Sequence, residues 1–531
     1  MAKYIFITGG VASSLGKGIA AASLGLLLKE RGFRVVNQKF DPYLNIDPGN
    51  MNPFQHGEVF VTEDGAAADL DLGHYERFTD ESTTQNSNTT AGRVYLSVLE
   101  RERKGGYDGG TVQVIPSITD EIRNRIMQPS RETDAEIIIT EIGGTVGDIE
   151  SLPFIEAILQ TRNTVGSENC AFIHLTLVPY LKNAGELKTK PTQHSVKEIQ
   201  GLGIQPDIVM IRSQLPLDSH SKDKIALYCN IPSDAVIQNL DAKSIYEVPL
   251  MMEKEGLGRI VCRVLALPDK EPDLSGWQEI VRRFHNPQKE VKIALVGHFV
   301  ELPDAYRSVI ESLTHGGITN CTRVTIDYVD STELTDYAAA SARLSGCNGV
   351  IIPGGSSNKG IEELLFAIRY AREQQIPYFG ICLGMQAAAV EYARNVLGLE
   401  GANTTEADNK TSRPVVALLP NRDKSYPRVG KYDCALVPGS LIEKTYGTAS
   451  ISERHRHCYG FNNEYSEVFT KSAFKPVGIC PEDNLVEAME LEGHPWMVCV
   501  QFRPEFKSRP NRAHPLFRDF IAAAAAHGAE V

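Results

Sequence analysis

Paired cysteines are missing from this chain. Its ten cysteines (Cys170, Cys229, Cys262, Cys321, Cys347, Cys382, Cys434, Cys458, Cys480 and Cys499) stand singly, with no CxxC pair. That spacing argues against a structural zinc site or a disulfide framework and leaves reduced thiols as the expectation. Long apolar runs are also missing: none approaches the ~20 residues a membrane span needs. Met1-Ala2-Lys3 runs straight into a short strand and a glycine loop rather than a basic, apolar signal segment, so a cytoplasmic protein is expected. Positive charge is in deficit, 54 Lys and Arg against 67 Asp and Glu for a net −13, which excludes non-specific binding to nucleic acid or anionic membrane. Local basic pockets for phosphates remain compatible with that balance. No internal repeat or low-complexity tract stands out.

What is present reads as a globular chain, 42% hydrophobic and 23% charged, and 531 residues are too many for one ordinary core. Short β-branched runs (Tyr4 to Thr8, Glu136 to Glu141, Phe172 to Val178, Ile208 to Ile211) alternate with longer amphipathic stretches. This pattern predicts an α/β fold of two domains, each with a mostly parallel sheet flanked by helices. Polar, proline-bearing residues from Leu267 to Asp273 and from Asn286 to Glu290 precede a fresh strand at Val291. The expected division is a first domain over 1–267, a linker over 268–290 and a second domain over 291–531.

The first chemical motif runs from Gly9 to Gly18, after a strand and before a helical stretch. Glycines let backbone amides converge on phosphate oxygens, the helix N-terminus favours negative charge, and Lys17 supplies a point charge. The spacing is a variant, and Gly18 stands where Ser or Thr usually meets magnesium, so metal ligands must come from elsewhere. Two stretches offer hard oxygen ligands: Asp69-Leu70-Asp71-Leu72-Gly73, and the strand Ile137 to Thr140 that ends in Glu141. The cluster Lys188-Thr189-Lys190-Pro191-Thr192-Gln193-His194 reads first as a charged surface loop, and second as a site for another triphosphate and a base edge.

Together with Lys39-Phe40-Asp41-Pro42-Tyr43, Gln55 to Phe60 and Glu141 to Ser151, these strings resemble the CTP synthase family nearly word for word, over most of the chain. The resemblance implies a P-loop-type amidoligase domain followed by a class I glutaminase-like domain. It implies an ATP- and magnesium-dependent ligase that phosphorylates the C4 oxygen of UTP and displaces phosphate with ammonia. It places ATP on Ser13, Ser14, Leu15, Gly16, Lys17 and Gly18, with Lys17 and Lys39 as catalytic cations and magnesium on Asp71 and Glu141. UTP falls to Ser13, Asp148, Glu150, Lys188, Lys190, Gln193 and Lys224, and the ammonia passage to His56 and Val59. A homotetramer is implied as well.

Gly380-Ile381-Cys382-Leu383-Gly384-Met385-Gln386 resembles the nucleophile turn of class I glutamine amidotransferases. The family partners are a histidine and a glutamate in Gln-Phe-His-Pro-Glu-Phe; here Glu505 remains and the histidine is Arg503. A guanidinium neither accepts nor returns a proton near neutrality. The glutamine or amine pocket implied by the family is Gly354, Gly355, Gln386, Glu406, Arg456 and Arg503. Other strings differ from the family as well: Ser356-Ser357-Asn358-Lys359 in the oxyanion loop, a shortened Asn421 to Gly430 where GTP activation is expected, Cys458, Gly460 and Ser117. The expectation is therefore a UTP ligase fed by free ammonia or another amine, giving CTP or an N4-substituted CTP, with glutamine hydrolysis impaired. The alternatives are a conventional glutamine-hydrolysing enzyme in which His455, His457 or His494 acts as base, and a non-catalytic regulatory or filament-forming homologue.

Overall fold

Seven strands, most of them buried on both faces, build the first sheet, as parallel strands covered by helices require. They are β1 (Lys3–Gly9), β2 (Val35–Asp41), β3 (Asn88–Thr90), β4 (Ile137–Ile142), β5 (Cys170–Leu177), β6 (Ile208–Ser213) and β7 (Val236–Leu240). Their order is β7-β6-β5-β1-β4-β2-β3, every pair parallel. The chain leaves β1 for β2, which is not its neighbour, so a topological switch opens beside the carboxyl end of β1, where α/β proteins bind ligands. Helix α1 (Lys17–Lys29) starts there, buries Ala20, Ala21, Ala22, Leu24 and Leu26 to Leu28, and ends before Gly32 at φ 90°. Phe6, Phe40, Ile138, Phe154 and Phe172 pack the core on one face of the sheet.

The computed structural model describes residues 2–356, 360–420, 422 and 427–530. Among them the chain forms two compact units, residues 1–50 with 71–281 and residues 51–70 with 282–531. The polar stretch 268–290 carries a helix, Ser275–His285; its Trp277 is buried against Phe78 and Tyr246 and donates to the Tyr246 carbonyl at 2.7 Å. No helix of the described residues is long and apolar enough to cross a membrane.

The second unit holds a nine-stranded mixed sheet. Strands β8 (Lys289–Gly297), β9 (Thr322–Asp330), β10 (Gly349–Ile352), β11 (Tyr378–Ile381) and, late in the chain, β16 (Met497–Val500) run parallel in the order β9-β8-β10-β11-β16. An antiparallel extension follows: β15 (Val486–Leu491), β14 (Phe474–Ile479), β12 (Arg428–Leu436) and β13 (Ser450–His457). Only the first five strands obey the crossover pattern read from the sequence. The others pair antiparallel, β14 to β15 and β15 to β16 through short connections and β12 to β13 across a connection that carries the helix Leu441–Tyr446. Separate apolar clusters cover the two faces, one around Ile352, Leu364 and Met385, the other around Leu295, Phe379 and Phe517.

Candidate active site

In the first unit, the carboxyl ends of β1, β2 and β4 bring charged groups together. Parallel register sets Lys39 beside Glu141 and Ile7 on its other flank. Lys39 Nζ donates to Asp71 Oδ2 at 2.5 Å and to Glu141 Oε1 at 2.8 Å, and lies 3.9 Å from Asp41 Oδ1. Tyr75 donates to the other Glu141 oxygen. Lys17 Nζ donates to the Gly144 carbonyl at 2.6 Å, and Val146 N–H to the Gly9 carbonyl at 2.8 Å, so the phosphate loop and the loop after β4 are tied together. Ser13 and Ser14 are exposed, Leu15 is buried, and Gly16 takes the left-handed conformation at φ 92° that opens the helix.

Gly18 has a structural reason that the sequence does not reveal. A Cβ there would lie 1.9 Å from Asp71 Oδ1, so the carboxylate fills the space a Ser or Thr side chain takes in the common loop. Replacing Gly18 with Ala must push Asp71 aside. Gly18→Ala is expected to lower UTP-dependent ADP formation about tenfold, because small misplacements of a catalytic group are costly. A coupled ADP assay checks this, and an unchanged rate counts against Asp71 as a ligand.

Electrostatics separate the two acids. Burial, then the neighbouring Asp71, raises Glu141 above the ordinary carboxylate range despite Lys39 and Lys17. Burial also pushes Asp71 upward, but Lys39, His74 and Lys17 outweigh it and hold the group low. Burial lowers Lys17 against the pull of Glu141 and Asp71. The buried Glu141 at the sheet edge and the half-buried Asp71 at the start of a helix are hard oxygen donors of the type magnesium takes, so the residues present fit that ion.

The residues expected at UTP lie in three loops, those of Ser13, of Asp148 with Glu150 and of Lys188, and on two helices. Asp148 caps Thr145 N–H at 3.0 Å and Glu150 is exposed. Lys188 pairs with Glu186 at 2.5 Å; Lys190 and Gln193 open helix α2 (Lys190–Gly201), where buried Gln193 donates to Thr189 Oγ1 at 3.1 Å. Gly147 packs against Glu198, which brings the loop after β4 onto this helix. Lys224 stands exposed on the helix Ser219–Cys229. The Ser117 hydroxyl accepts from Gln113 N–H at 3.3 Å.

In the second unit, Cys382 sits at φ 54°, ψ −98° between β11 and helix α3 (Leu383–Asn395), a strained turn. Glycine is required on both sides: a Cβ at Gly380 would meet Gly384 backbone at 2.8 Å, and one at Gly384 would meet the Ile352 carbonyl at 2.3 Å. The Arg503 guanidinium donates to Glu505 Oε1 at 3.0 Å and lies against Gly354, where a Cβ would be 2.0 Å from Cζ. Burial raises the Cys382 thiol, with Arg503 pulling the other way. Burial opposes the Arg503 charge, but Cys382 and Glu505 more than offset this, so the guanidinium keeps its proton. Gln386 donates to the Tyr459 carbonyl at 2.8 Å, and Ser356 to Glu406 at 2.6 Å. The Arg456 carbonyl lies 4.0 Å from Cys382 Sγ. Of the altered strings, Ser357, Asn358, Lys359, Asn421 and Asp423 to Tyr426 lie outside the described residues.

The three histidines considered as substitute bases are committed elsewhere. His457 Nδ1 donates to the Tyr459 carbonyl at 2.9 Å, and its Nε2 lies 3.1 Å from His455 Nδ1. Burial pushes His457 down to about 3 and His455 well below its ordinary range. His494 bonds the Ala371 carbonyl and Trp496 N–H. His455, His457 and Glu487 also have metal-ligand proximity. Arg428, however, sits 2.5 Å from Glu487 and 3.2 Å from His455, supplying the positive charge there itself.

Residues 51–70 fold with this second unit and carry His56 and Val59, both half-buried. Sequence reasoning missed two anchors of this segment. Glu58 accepts from Ser308 N–H at 2.9 Å at the start of the helix Arg307–Thr319. Arg454, fully buried, donates to the Val61 carbonyl at 3.0 Å while its own carbonyl accepts Arg503 N–H at 2.7 Å. The string Gln55 to Phe60 was the available signal.

Residues 3–267 match the family described as CTP synthase N-terminus, and residues 301–523 match glutamine amidotransferase class-I. The chain is 57% identical over 526 residues to a CTP synthase of Treponema denticola, covering 98% of each. It is 56% identical over 528 residues to one of Carboxydothermus hydrogenoformans, again covering 98% of each. Among solved structures, it is similar to the Trypanosoma brucei CTPS glutaminase domain with bound acivicin, at 36% identity and TM-score 0.42 over 44% of this chain and 94% of that one.

Proposed function

This chain belongs to the CTP synthase family and is an ATP-dependent C–N ligase; from that premise we propose that it converts UTP to CTP with glutamine as nitrogen source. The observation that carries the ligase reading is the cluster of Lys17, Lys39, Asp71 and Glu141 at one sheet edge. In the proposed reaction the UTP C4 oxygen takes the terminal phosphoryl group of ATP and ADP leaves. Ammonia then adds at C4 and orthophosphate departs. Lys17 and Lys39 stabilise charge on the phosphoryl oxygens as it moves. Magnesium, held by Asp71 and Glu141, would supply further charge neutralisation. Residues 1–267 would perform this chemistry and 291–531 would supply the amine.

Of the readings of the nitrogen source, the conventional one has the better support. The amidotransferase match runs across Arg503, and near-full-length relatives carry the CTP synthase description. The earlier expectation of lost glutamine hydrolysis therefore becomes the second reading, favoured by one observation: Arg503 occupies the position of a base and holds its proton. The proposed homotetramer rests on membership of the family.

The test is to incubate the protein with ATP, magnesium and UTP and offer glutamine, ammonium or a panel of amines, identifying the product by mass spectrometry. CTP from glutamine supports the first reading. CTP from ammonium alone, or an N4-substituted product, supports the second, and no UTP-dependent ADP with any donor rejects both.

A further inference from the structure

Three buried side chains line up behind the phosphate loop with no part in the proposed reaction so far. Thr8 Oγ1 lies 2.8 Å from His174 Nδ1, and His174 Nε2 lies 2.8 Å from Ser195 Oγ. Thr8 is the next-to-last residue of β1, His174 is on β5 and Ser195 is on α2, two residues after Gln193. Ser195 Oγ presses on the phosphate loop: a Cβ at Gly10 would lie 1.8 Å from it.

Proton placement decides what Ser195 offers. Burial, then Lys17, pushes His174 down to about 3, so the ring is neutral and carries one N–H. In one arrangement His174 Nδ1–H donates to Thr8, whose hydroxyl must then donate to the Ile173 carbonyl, 3.4 Å away. In the other the Thr8 hydroxyl donates to Nδ1 at 2.8 Å and Nε2–H donates to Ser195 Oγ. Both arrangements keep the ring bonded on its two sides, and a phosphate oxygen beside Ser195 selects the second, in which Ser195 Oγ accepts from Nε2–H. The Ser195 hydroxyl then keeps its own hydrogen, and among the described residues its one hydrogen-bonding partner is His174. Beside it the Gly10 N–H is spent on the Leu175 carbonyl at 3.0 Å, so the loop does not present that amide to a phosphate.

We propose that Ser195 is a phosphate-binding residue of the ligase site, its hydroxyl donating to an oxygen of a nucleotide phosphate held in the loop, with His174 and Thr8 as positioning residues that aim it. The inference rests on the ATP-dependent reading above. It also ties the ATP loop to the helix that carries Gln193, one of the residues expected at UTP.

The test compares wild type, Ser195→Ala, Thr8→Val and Thr8→Ser, with ammonium as donor so that the nitrogen source does not enter. A hydrogen bond to a charged acceptor is a strong one, so Ser195→Ala should lower kcat for UTP-dependent ADP formation about tenfold, or weaken ATP binding by a similar factor, with thermal unfolding unchanged. Thr8→Val should give a smaller loss, because the freed imidazole can turn its proton and recapture the Ser195 hydrogen. Thr8→Ser should restore wild-type rates. A Ser195→Ala enzyme that keeps both kcat and ATP affinity within about twofold of wild type overturns the inference. If Ser195→Ala does not fold, an unchanged Thr8→Val overturns it equally. Should wild type form no ADP with UTP, the ligase reading falls, and ATP affinity alone decides the role of Ser195.

Discussion

Glu141→Gln is expected to reduce UTP-dependent ADP formation by roughly 10²–10³, whichever amine is offered. The substitution preserves shape but removes one of the two carboxylates that accept a hydrogen bond from Lys39, and with it a hard charged oxygen at the sheet edge. Asp71 still accepts from Lys39 and Asp41 stays 3.9 Å away, so Lys39 remains paired and the fold should persist, which circular dichroism and thermal unfolding would check. A pH profile separates loss of a ligand from loss of packing. Burial and Asp71 raise Glu141, and the reaction needs it ionised, so activity falls as pH drops through a value above the ordinary carboxylate range. In Glu141→Gln that acid limb should disappear while a low residual rate persists. A Gln variant with wild-type rate and an unchanged acid limb would show that Glu141 is structural.

Features carried by local order were legible in the sequence. The strand, glycine turn, Lys17 and helix are consecutive, and an apolar strand ending in Glu141 needs only the rule that acids at strand ends face the ligand edge. The turn around Cys382 is local too, its geometry set by Gly380 and Gly384. Properties set by distant partners were not legible. Gly18 looks like a missing magnesium ligand until Asp71 is seen filling its space. Residues 51–70 sit between ligase motifs in the chain yet fold with the second unit, through Glu58, Phe60 and Arg454, which no periodicity announces. Ser195 and His174 look like ordinary buried polar residues in sequence, and their meaning depends on which ring nitrogen holds a proton. Arg503 is a single departure inside a match that covers 98% of the chain, and its own chemistry does not say which nitrogen source the enzyme uses.

On the second reading, in which Arg503 blocks glutamine hydrolysis, Arg503→His should raise glutamine-dependent CTP formation by about 10² or more and leave ammonium-dependent formation unchanged, since general acid–base catalysis contributes roughly 10²–10⁴. The thiol of Cys382 must lose a proton to attack the glutamine amide, and the leaving nitrogen must gain one. Arg503 supplies charge that favours thiolate, but burial outweighs it and leaves the thiol raised. A guanidinium held above its ordinary value does not release a proton to the leaving nitrogen. Glu505, within 3.0 Å of the Arg503 guanidinium, is positioned to orient an imidazole placed there. The gap left against Gly354 by the shorter side chain sets a limit on the gain. Cys382→Ala in the Arg503→His background should abolish the glutamine rate and spare the ammonium rate, which assigns the gain to the thiol. If wild type already turns over glutamine quickly and Arg503→His does not change it, proton transfer at Cys382 runs without residue 503. Solvent or a neighbouring group then carries the proton, and the conventional reading stands with arginine as an electrostatic partner of the thiolate.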